Sequence, residues 1–539
     1  MSLRALTCQL INSAWITGCS REYARFTTAL GRVADTQTAC LFDLLKRNAA
    51  TRFGTNHRFA QVRSVAEFQA RVPIAGYDAL AESIEAISGG ATGVLTADRV
   101  KLFQPTSGSS SAIKLIPWTA TLGREFRRGI SPWLAALYRR KPALMGGTAY
   151  WSISPPATAV QTRGRLRVGF DHDAEYLGFF GKNLFSLVSA APPELAHCRS
   201  MQEFKTKTLV ALLADENLRL ISIWSPTFLT TLLDDFMAQP GEILDALSRS
   251  GRTRTHQRAE LLRHILPGSA RPISFEQVWP RLQLISCWTH GPSELYAEDL
   301  QSLFPNIEIQ GKGLVATEAF VSLPFHEDKD PVLAVTSHFF EFQDTAGEDL
   351  SLAHELIAGK TYRVIVTTGG GLYRYALGDL VRVTGFIQDA PCLRFIGREA
   401  NVSDLFGEKL QGTFVETVIR RALAQQGINP RFFLLAPVAG AMPKPAYTLF
   451  LEANAVLDAV VLQRNLEEGL AENFHYKHCR RLGQLSGARI FQINRGALSS
   501  ETVFQHEMLS RGIKLGDIKM GALDCQSGWE QRFRGQFVS

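Results

Sequence analysis

A pattern that occurs twice limits the fold most: a short β-rich run, a turn residue, then an apolar helical segment. Leu218-Arg-Leu-Ile-Ser-Ile-Trp224 is followed by Ser225 and Pro226, then by apolar residues at 228–233. Serine and proline suit a helix N-cap and first helical position. Leu282-Gln-Leu-Ile-Ser-Cys-Trp288 repeats the arrangement ahead of Gly291-Pro292, and an earlier run at 150–154 stops at Pro155-Pro156. Strand, turn and helix in alternation predict an α/β domain with a substantially parallel sheet. Ligands of such sheets bind at the carboxyl ends of the strands.

At 539 residues the chain exceeds one hydrophobic core, so two or more domains are expected. Residues 1–100 read mainly as helix, with Leu41, Leu44 and Leu45 on one face at i, i+3, i+4. Between 360 and 386 the character becomes antiparallel, around the glycine turn Gly369-Gly-Gly371. After Arg398 a separate module is predicted. Thr413 and Glu416 have capping-box spacing before the apolar positions Phe414, Val415, Val418 and Ile419, and Gly427 closes that helix. Strands at 432–436 and 447–452, a helix within 457–473 and a strand at 489–493 give a βαβ-type unit. A last helix near 502–509 ends at Gly512.

The stretch richest in potential chemistry is Gln104-Pro-Thr-Ser-Gly-Ser-Ser-Ser-Ala-Ile-Lys114. Hydroxyls and backbone N–H groups on a turn, with one ammonium, suit a polyphosphate. The GxxxxGK[ST] pattern is absent, and taken alone the run is more ordinarily a flexible connector. Further along, Thr317-Glu318 sets a hydroxyl beside a carboxylate, fit for a phosphate oxygen and a magnesium ion; the plainer reading opens a helix through Ala319 and Phe320. Tyr373-Arg-Tyr-Ala-Leu-Gly-Asp379 places a carboxylate after glycine, suited to ribose hydroxyls or to an ordinary hairpin turn. Arg398 lies at the predicted domain junction, as a phosphate contact or an interdomain ion pair. Lys519, near the C-terminus, is a cation among apolar neighbours or a solvated terminal lysine.

Other classes fit less well. Lys+Arg exceed Asp+Glu by 58 − 51 = 7, without a basic patch interleaved with aromatics, which argues against a nucleic-acid partner. The eight cysteines are scattered with no CxxC spacing, which argues against a disulfide scaffold or a zinc site and fits a reducing compartment. No apolar run reaches the ~18 residues that would span a bilayer. A cytoplasmic protein is the expectation. GxSxG, HExxH and GxGxxG are absent, and His338 and His354 have no second ligand at metal spacing.

Taken in order, Thr106-Ser-Gly-Ser-Ser-Ser-Ala-Ile-Lys114, Ala316-Thr317-Glu318, the aspartate motif ending at Asp379, Gly397-Arg398 and Lys519 resemble the adenylate-forming superfamily. The YRYxxGD form of the aspartate motif is similar to that of the auxin-responsive promoter family of acyl acid amido synthetases. So are Leu44-Leu-Lys-Arg-Asn-Ala49 with Phe53-Gly54, and Phe395-Ile-Gly-Arg-Glu-Ala-Asn-Val402. The resemblance implies a two-domain adenylate-forming enzyme: a large N-terminal α/β domain at 1–397 plus a small, mobile α+β C-terminal domain at 398–539. It implies a ligase that uses ATP and Mg2+ to make an acyl-AMP and passes the acyl group to an amino acid or another amine.

By the same resemblance, Ser107, Gly108, Ser109, Ser110 and Lys114 hold phosphates, Thr317 contacts the α-phosphate, Glu318 binds magnesium, and Asp379 binds the ribose. Arg398 is the hinge residue, and Lys519 balances charge between the acyl carboxylate and α-phosphate. Two departures stand out: Ser111 replaces a usual glycine, and Leu314 replaces a usual aromatic, leaving Phe395 as the candidate adenine stack. Lys514 competes with Lys519 for the catalytic role. An acyl-CoA ligase, or a non-catalytic ligand-binding protein of the same fold, are the alternatives. The expected partners are a small carboxylic acid and an amine or thiol acceptor, with no nucleic acid and no membrane span, and a monomer is expected. Trp118, Ile223, Trp224 and Trp288 are candidate acyl-pocket residues, with core packing an equal explanation for each.

Overall fold

The computed structural model describes residues 3–106, 114–152, 162–170, 182–192, 194–195, 198, 200–249, 253–265, 275–347, 349–399, 402–438, 444–454, 457–496, 498–513 and 518–538. The phosphate-loop expectations at Ser107, Gly108, Ser109, Ser110 and Ser111, and the alternative lysine Lys514, lie outside these residues.

Helices dominate the first hundred residues, beginning with Leu3–Ala29 and Val33–Asn48. Leu41, Leu44 and Leu45 are buried, as their spacing requires. Phe53 then stacks on Tyr373, with ring centroids 4.7 Å apart and planes 12° apart. Residues more than 300 apart in sequence are joined by this contact.

The repeated pattern folds as a parallel sheet of Thr148–Trp151, Leu218–Ser222, Leu284–Cys287 and Glu308–Gly311, adjacent in that order. Pro226 does begin the helix Pro226–Ala238, but Ser225 gives no side-chain cap; its hydroxyl pairs with that of Thr227 at 2.7 Å. A second sheet, seven-stranded among the described residues, is antiparallel and runs through Phe339–Asp344, Thr361–Thr367, Tyr375–Ile387 and Ala390–Arg398. Leu102–Pro105 pairs antiparallel with Leu115–Trp118, and Thr106 N–H donates to the Lys114 carbonyl beyond the paired residues at 2.9 Å.

The smaller C-terminal unit has a sheet in which Pro430–Val438, Ala446–Ala453, Arg489–Ile493 and Gly535–Val538 are neighbours. Only the middle pair is parallel, with helices Ala459–Leu470 and Phe474–Arg481 between them in sequence. The capping box is a correction. The short pair Val402–Ser403 with Leu410–Gln411 fixes the chain's entry, so the helix starts at Gly412 with Gln411 as N-cap. Thr413 lies inside it, and Glu416 instead pairs with Arg420. One apolar cluster runs between the two units, joining Phe228 and Leu232 with Phe432 and Phe504.

Candidate functional site

The residue that follows each strand of the parallel sheet faces one cavity. Ser152, Ile223, Trp288 and Lys312 are the first residues beyond the four strands, and all line a space of about 160 Å3. Their backbone positions are fixed because the ladder continues past the strands: Ser152 N–H donates to Ser222 O, Ile223 N–H to Ser286 O, and Lys312 N–H to Cys287 O, at 2.7–2.9 Å. Helix Ala120–Arg140 adds Phe126, Ile130 and Trp133, spaced i, i+4, i+7. The aromatic wall is completed by Trp151 and Trp224.

Polar groups enter from the other elements. Thr317 and Glu318 occupy the tip of a tight turn, closed by Ala316 N–H donating to Ala319 O at 2.9 Å and by a bridge between Val315 and Phe320. No helix opens there, so the plainer sequence reading is corrected. The approach to the turn demands glycine at 313, where a Cβ would lie 1.9 Å from the Ser322 carbonyl oxygen. Glu318 is 4% exposed, and burial raises its carboxyl above the ordinary range while Arg398 opposes that shift.

A buried relay holds the turn in place. Phe320 N–H donates to His338 Nε2 at 3.0 Å, so Nδ1 carries the proton and donates to Glu125 Oε2, also at 3.0 Å. Glu125 in turn accepts from Gly369 N–H, the first residue of the glycine turn. His338, dismissed on metal spacing, is a positioning residue for the loop that carries Glu318.

Asp379 lies within the strand Tyr375–Ile387, correcting the hairpin-turn reading, opposite Arg398 at the end of the adjoining strand. Arg398 Nε donates to Asp379 Oδ1 at 2.7 Å, so this ion pair joins two strands of one sheet and is not interdomain. Asp379 and burial act oppositely on the guanidinium, with Asp379 the larger influence, raising its pKa. Asp379 Oδ2 is buried and has no hydrogen-bond partner among the described residues. Gln104 Nε2 and Thr106 Oγ1, both at the cavity, are buried and unpartnered in the same sense.

The remaining candidates surround this centre. Lys114 lies close enough for its charge to lower the Glu318 carboxyl, and its Nζ is 6.0 Å from the Tyr77 ring. Lys519 lines the cavity with Nζ 4.8 Å from the Trp288 ring and 5.5 Å from that of Phe395. Thr317, Glu318, Arg398 and Lys519 therefore line one cavity, while Asp379 touches it through Arg398 and Phe395 through Lys519. Of the four apolar candidates, Ile223, Trp224 and Trp288 line the cavity, and Trp118 packs in the core against Phe126 and Phe170.

Trp133, Trp151 and Lys312 are additions that sequence reasoning missed. A usable signal existed for Lys312, which directly follows a strand-ending glycine in a parallel-sheet pattern. Arg374, inside the aspartate motif, is architectural: its Nε donates to both Glu341 oxygens at 3.0–3.1 Å, and its Nη1 to the Gln69 and Val72 carbonyls.

The donors fit a nucleotide and a hard cation. Among the described residues, Asp379 has an unpaired carboxylate oxygen, Gln104 and Thr106 have unpaired donors, and Glu318 is a buried carboxylate of the kind a hard cation takes.

Residues 22–309 match the GH3 family N-terminal domain, 331–398 the GH3 family central domain, and 413–523 the GH3 family C-terminal domain. Indole-3-acetic acid-amido synthetase GH3.15 of Arabidopsis thaliana is 24% identical over 420 residues, 70% of each chain. Probable indole-3-acetic acid-amido synthetase GH3.6 of Oryza sativa subsp. japonica is 32% identical over 137 residues, 23% of this chain and 28% of that one. A solved structure of GH3.15 acyl acid amido synthetase superposes over 96% of both chains with a TM-score of 0.79 at 18% identity. With the first of these domain matches alone covering more than half its length, the chain belongs to the GH3 family.

Proposed function

We propose that this family member is an ATP-dependent acyl acid amido synthetase: it converts a carboxylic acid to an acyl adenylate and transfers the acyl group to an amino acid nitrogen. The observation that carries this reading is the single cavity in which a tryptophan-rich wall meets Glu318, Arg398 and Lys519. An apolar acid body and a charged reacting end need that juxtaposition.

In the first half-reaction a carboxylate oxygen attacks the α-phosphorus and pyrophosphate leaves. In the second, the amine nitrogen attacks the acyl carbon and AMP leaves with the oxygen that bridged it to the acyl group. Two anions must meet in the first step, so fixed cations are required. Lys519 would neutralise the acyl carboxylate and α-phosphate, and Lys114 with the Ser107, Gly108, Ser109 and Ser110 run would hold the polyphosphate. Thr317 would donate to the α-phosphate. Asp379, with one oxygen already committed to Arg398, would give its other oxygen to the ribose. Phe395 beside Lys519 would flank the adenine. Glu318 would hold Mg2+, which supplies charge neutralisation at the phosphates.

The domain division proposed is 1–397 and 398–539, with Arg398 as hinge. Supporting it, Arg398 ends its strand and residues after 410 build a core of their own around Val415, Ile419 and Leu449. A cytoplasmic setting is supported by the eight cysteines, all free thiols. Among the described residues, no helix is long and apolar enough to cross a membrane.

Acid-dependent ATP–pyrophosphate exchange tests the reading. Exchange with at least one aryl, indole or short aliphatic acid is expected, followed by amide formation when amino acids are added. Folded protein that exchanges with none would overturn it, and thioester formation with coenzyme A in place of amide would overturn the second half.

A further inference from the structure

Lys312 is the cation in the cavity that the proposed reaction leaves without a task. It follows the strand Glu308–Gly311, is partly buried, and lines the cavity. Its Nζ donates to Ser222 Oγ at 2.6 Å and stands 4.9 Å from the Trp133 ring and 5.2 Å from the Trp224 ring. Trp133 is itself fixed, its indole N–H donating to Gln310 Oε1 at 3.0 Å. Among the described residues no carboxylate lies within ion-pair distance of Lys312.

Its place relative to the reacting end is set by a row of contacts. Lys312 lies on Trp224, the Trp224 and Trp288 centroids are 5.9 Å apart, and Lys519 lies on Trp288. Each ammonium thus lies over a different member of one tryptophan pair. Burial, with a lesser opposing influence from Cys287, lowers its pKa to about 7. An ammonium among indoles without a counter-ion is costly, and a ligand anion would offset that cost.

An apolar cavity of about 150 Å3 accommodates benzene, so the 160 Å3 here has room for one ring or a short chain.

We propose that Lys312 reads the end of the acid remote from the reacting carboxylate, and that the preferred substrates are compact acids carrying a second anionic oxygen group there. This inference rests on the adenylating reading above.

The test is ATP–pyrophosphate exchange with matched pairs: benzene-1,4-dicarboxylate against 4-methylbenzoate, benzene-1,3-dicarboxylate against 3-methylbenzoate, and glutarate against pentanoate. Wild-type kcat/KM is expected to favour the dicarboxylate at least tenfold in one pair or more, and Lys312→Met to erase that ratio. Lys312→Gln serves if the methionine variant does not fold. Calorimetric binding of the same acids without ATP should show the same ratio and its loss. Exchange that favours the monocarboxylate in every pair, or a ratio unchanged in the variant, overturns the role of Lys312 while leaving adenylation standing. Absence of exchange with every acid overturns the adenylating reading, and this inference falls with it.

Discussion

Asp379 uses its two oxygens differently: Oδ1 accepts from Arg398, and Oδ2 is buried without a partner among the described residues. Removing the charge while keeping the shape, Asp379→Asn, is expected to weaken ATP binding by ~1–3 kcal/mol, the range for charged hydrogen bonds. Calorimetry checks this, and unchanged affinity would refute the ribose assignment.

The neighbouring Arg374 behaves differently. It adopts φ +47° and is 4% exposed, against Glu341 at 1%. Arg374→Lys loses the fork that meets both Glu341 oxygens and two carbonyls, so unfolding in urea should show a loss of ~3–5 kcal/mol. The aspartate motif was legible as a unit, yet its residues divide between architecture and site, because the motif does not reveal what lies opposite each side chain.

Lys312 carries a pH signature. Burial pushes its pKa down to about 7, from the 10.5 of an ordinary lysine. Between those values the unfolded chain binds more protons, so this group makes stability rise with pH through that window. Below pH 7 the full penalty is present. Lys312→Met should therefore raise the melting temperature most at pH 6 and progressively less toward pH 10. The charged groups around the same cavity are Glu318, Arg398 and Lys519, with the Cys287 thiol adjoining, and the substitution leaves them in place. A melting difference independent of pH would contradict the assignment.

At the scale of elements, helix Ala120–Arg140 does two jobs. Its Glu125 ends the relay through His338 to Phe320, and its Gly129 leaves space for the Phe320 ring, which would lie 2.2 Å from an added Cβ. In a free helix alanine is preferred over glycine, but here overpacking governs. Gly129→Ala is expected to destabilise by ~1–3 kcal/mol and to lower pyrophosphate exchange more than ATP binding, because Phe320 lies two residues from Glu318. A helix stabilised by the substitution would contradict this packing. Glycine 129 carried no sequence signal, since its partner is almost two hundred residues away. The same holds for Glu125 and His338. Local patterns alone also misplaced a boundary: Thr413 and Glu416 satisfy a capping-box spacing, yet strand pairing at Gln411 decides where that helix begins.

Across the whole molecule, the strand–turn–helix repeat was enough to predict the parallel sheet, and the cavity lies at the carboxyl ends of its strands. Trp224 and Trp288 were legible as candidates for that cavity, but Trp133 and Trp151 were not, because they come from elements whose meeting is a tertiary event. The C-terminal unit brings Lys519 to that cavity while sharing an apolar cluster with the larger unit, and Gln505 and Thr231 also meet between them. Lys519→Ala is expected to abolish acyl-adenylate formation with little loss of ATP binding. If Lys514→Ala does so instead, the catalytic lysine is the other one.

In the proposed reaction the acid is activated by attack on the α-phosphorus. Amide synthesis from a carboxylic acid labelled with oxygen-18 in its carboxyl group, followed by mass spectrometry of the nucleotide and phosphate products, checks this. AMP carrying one labelled oxygen, with unlabelled pyrophosphate, is the expected result. Label in inorganic phosphate with ADP as co-product would contradict it, placing the attack at the terminal phosphate.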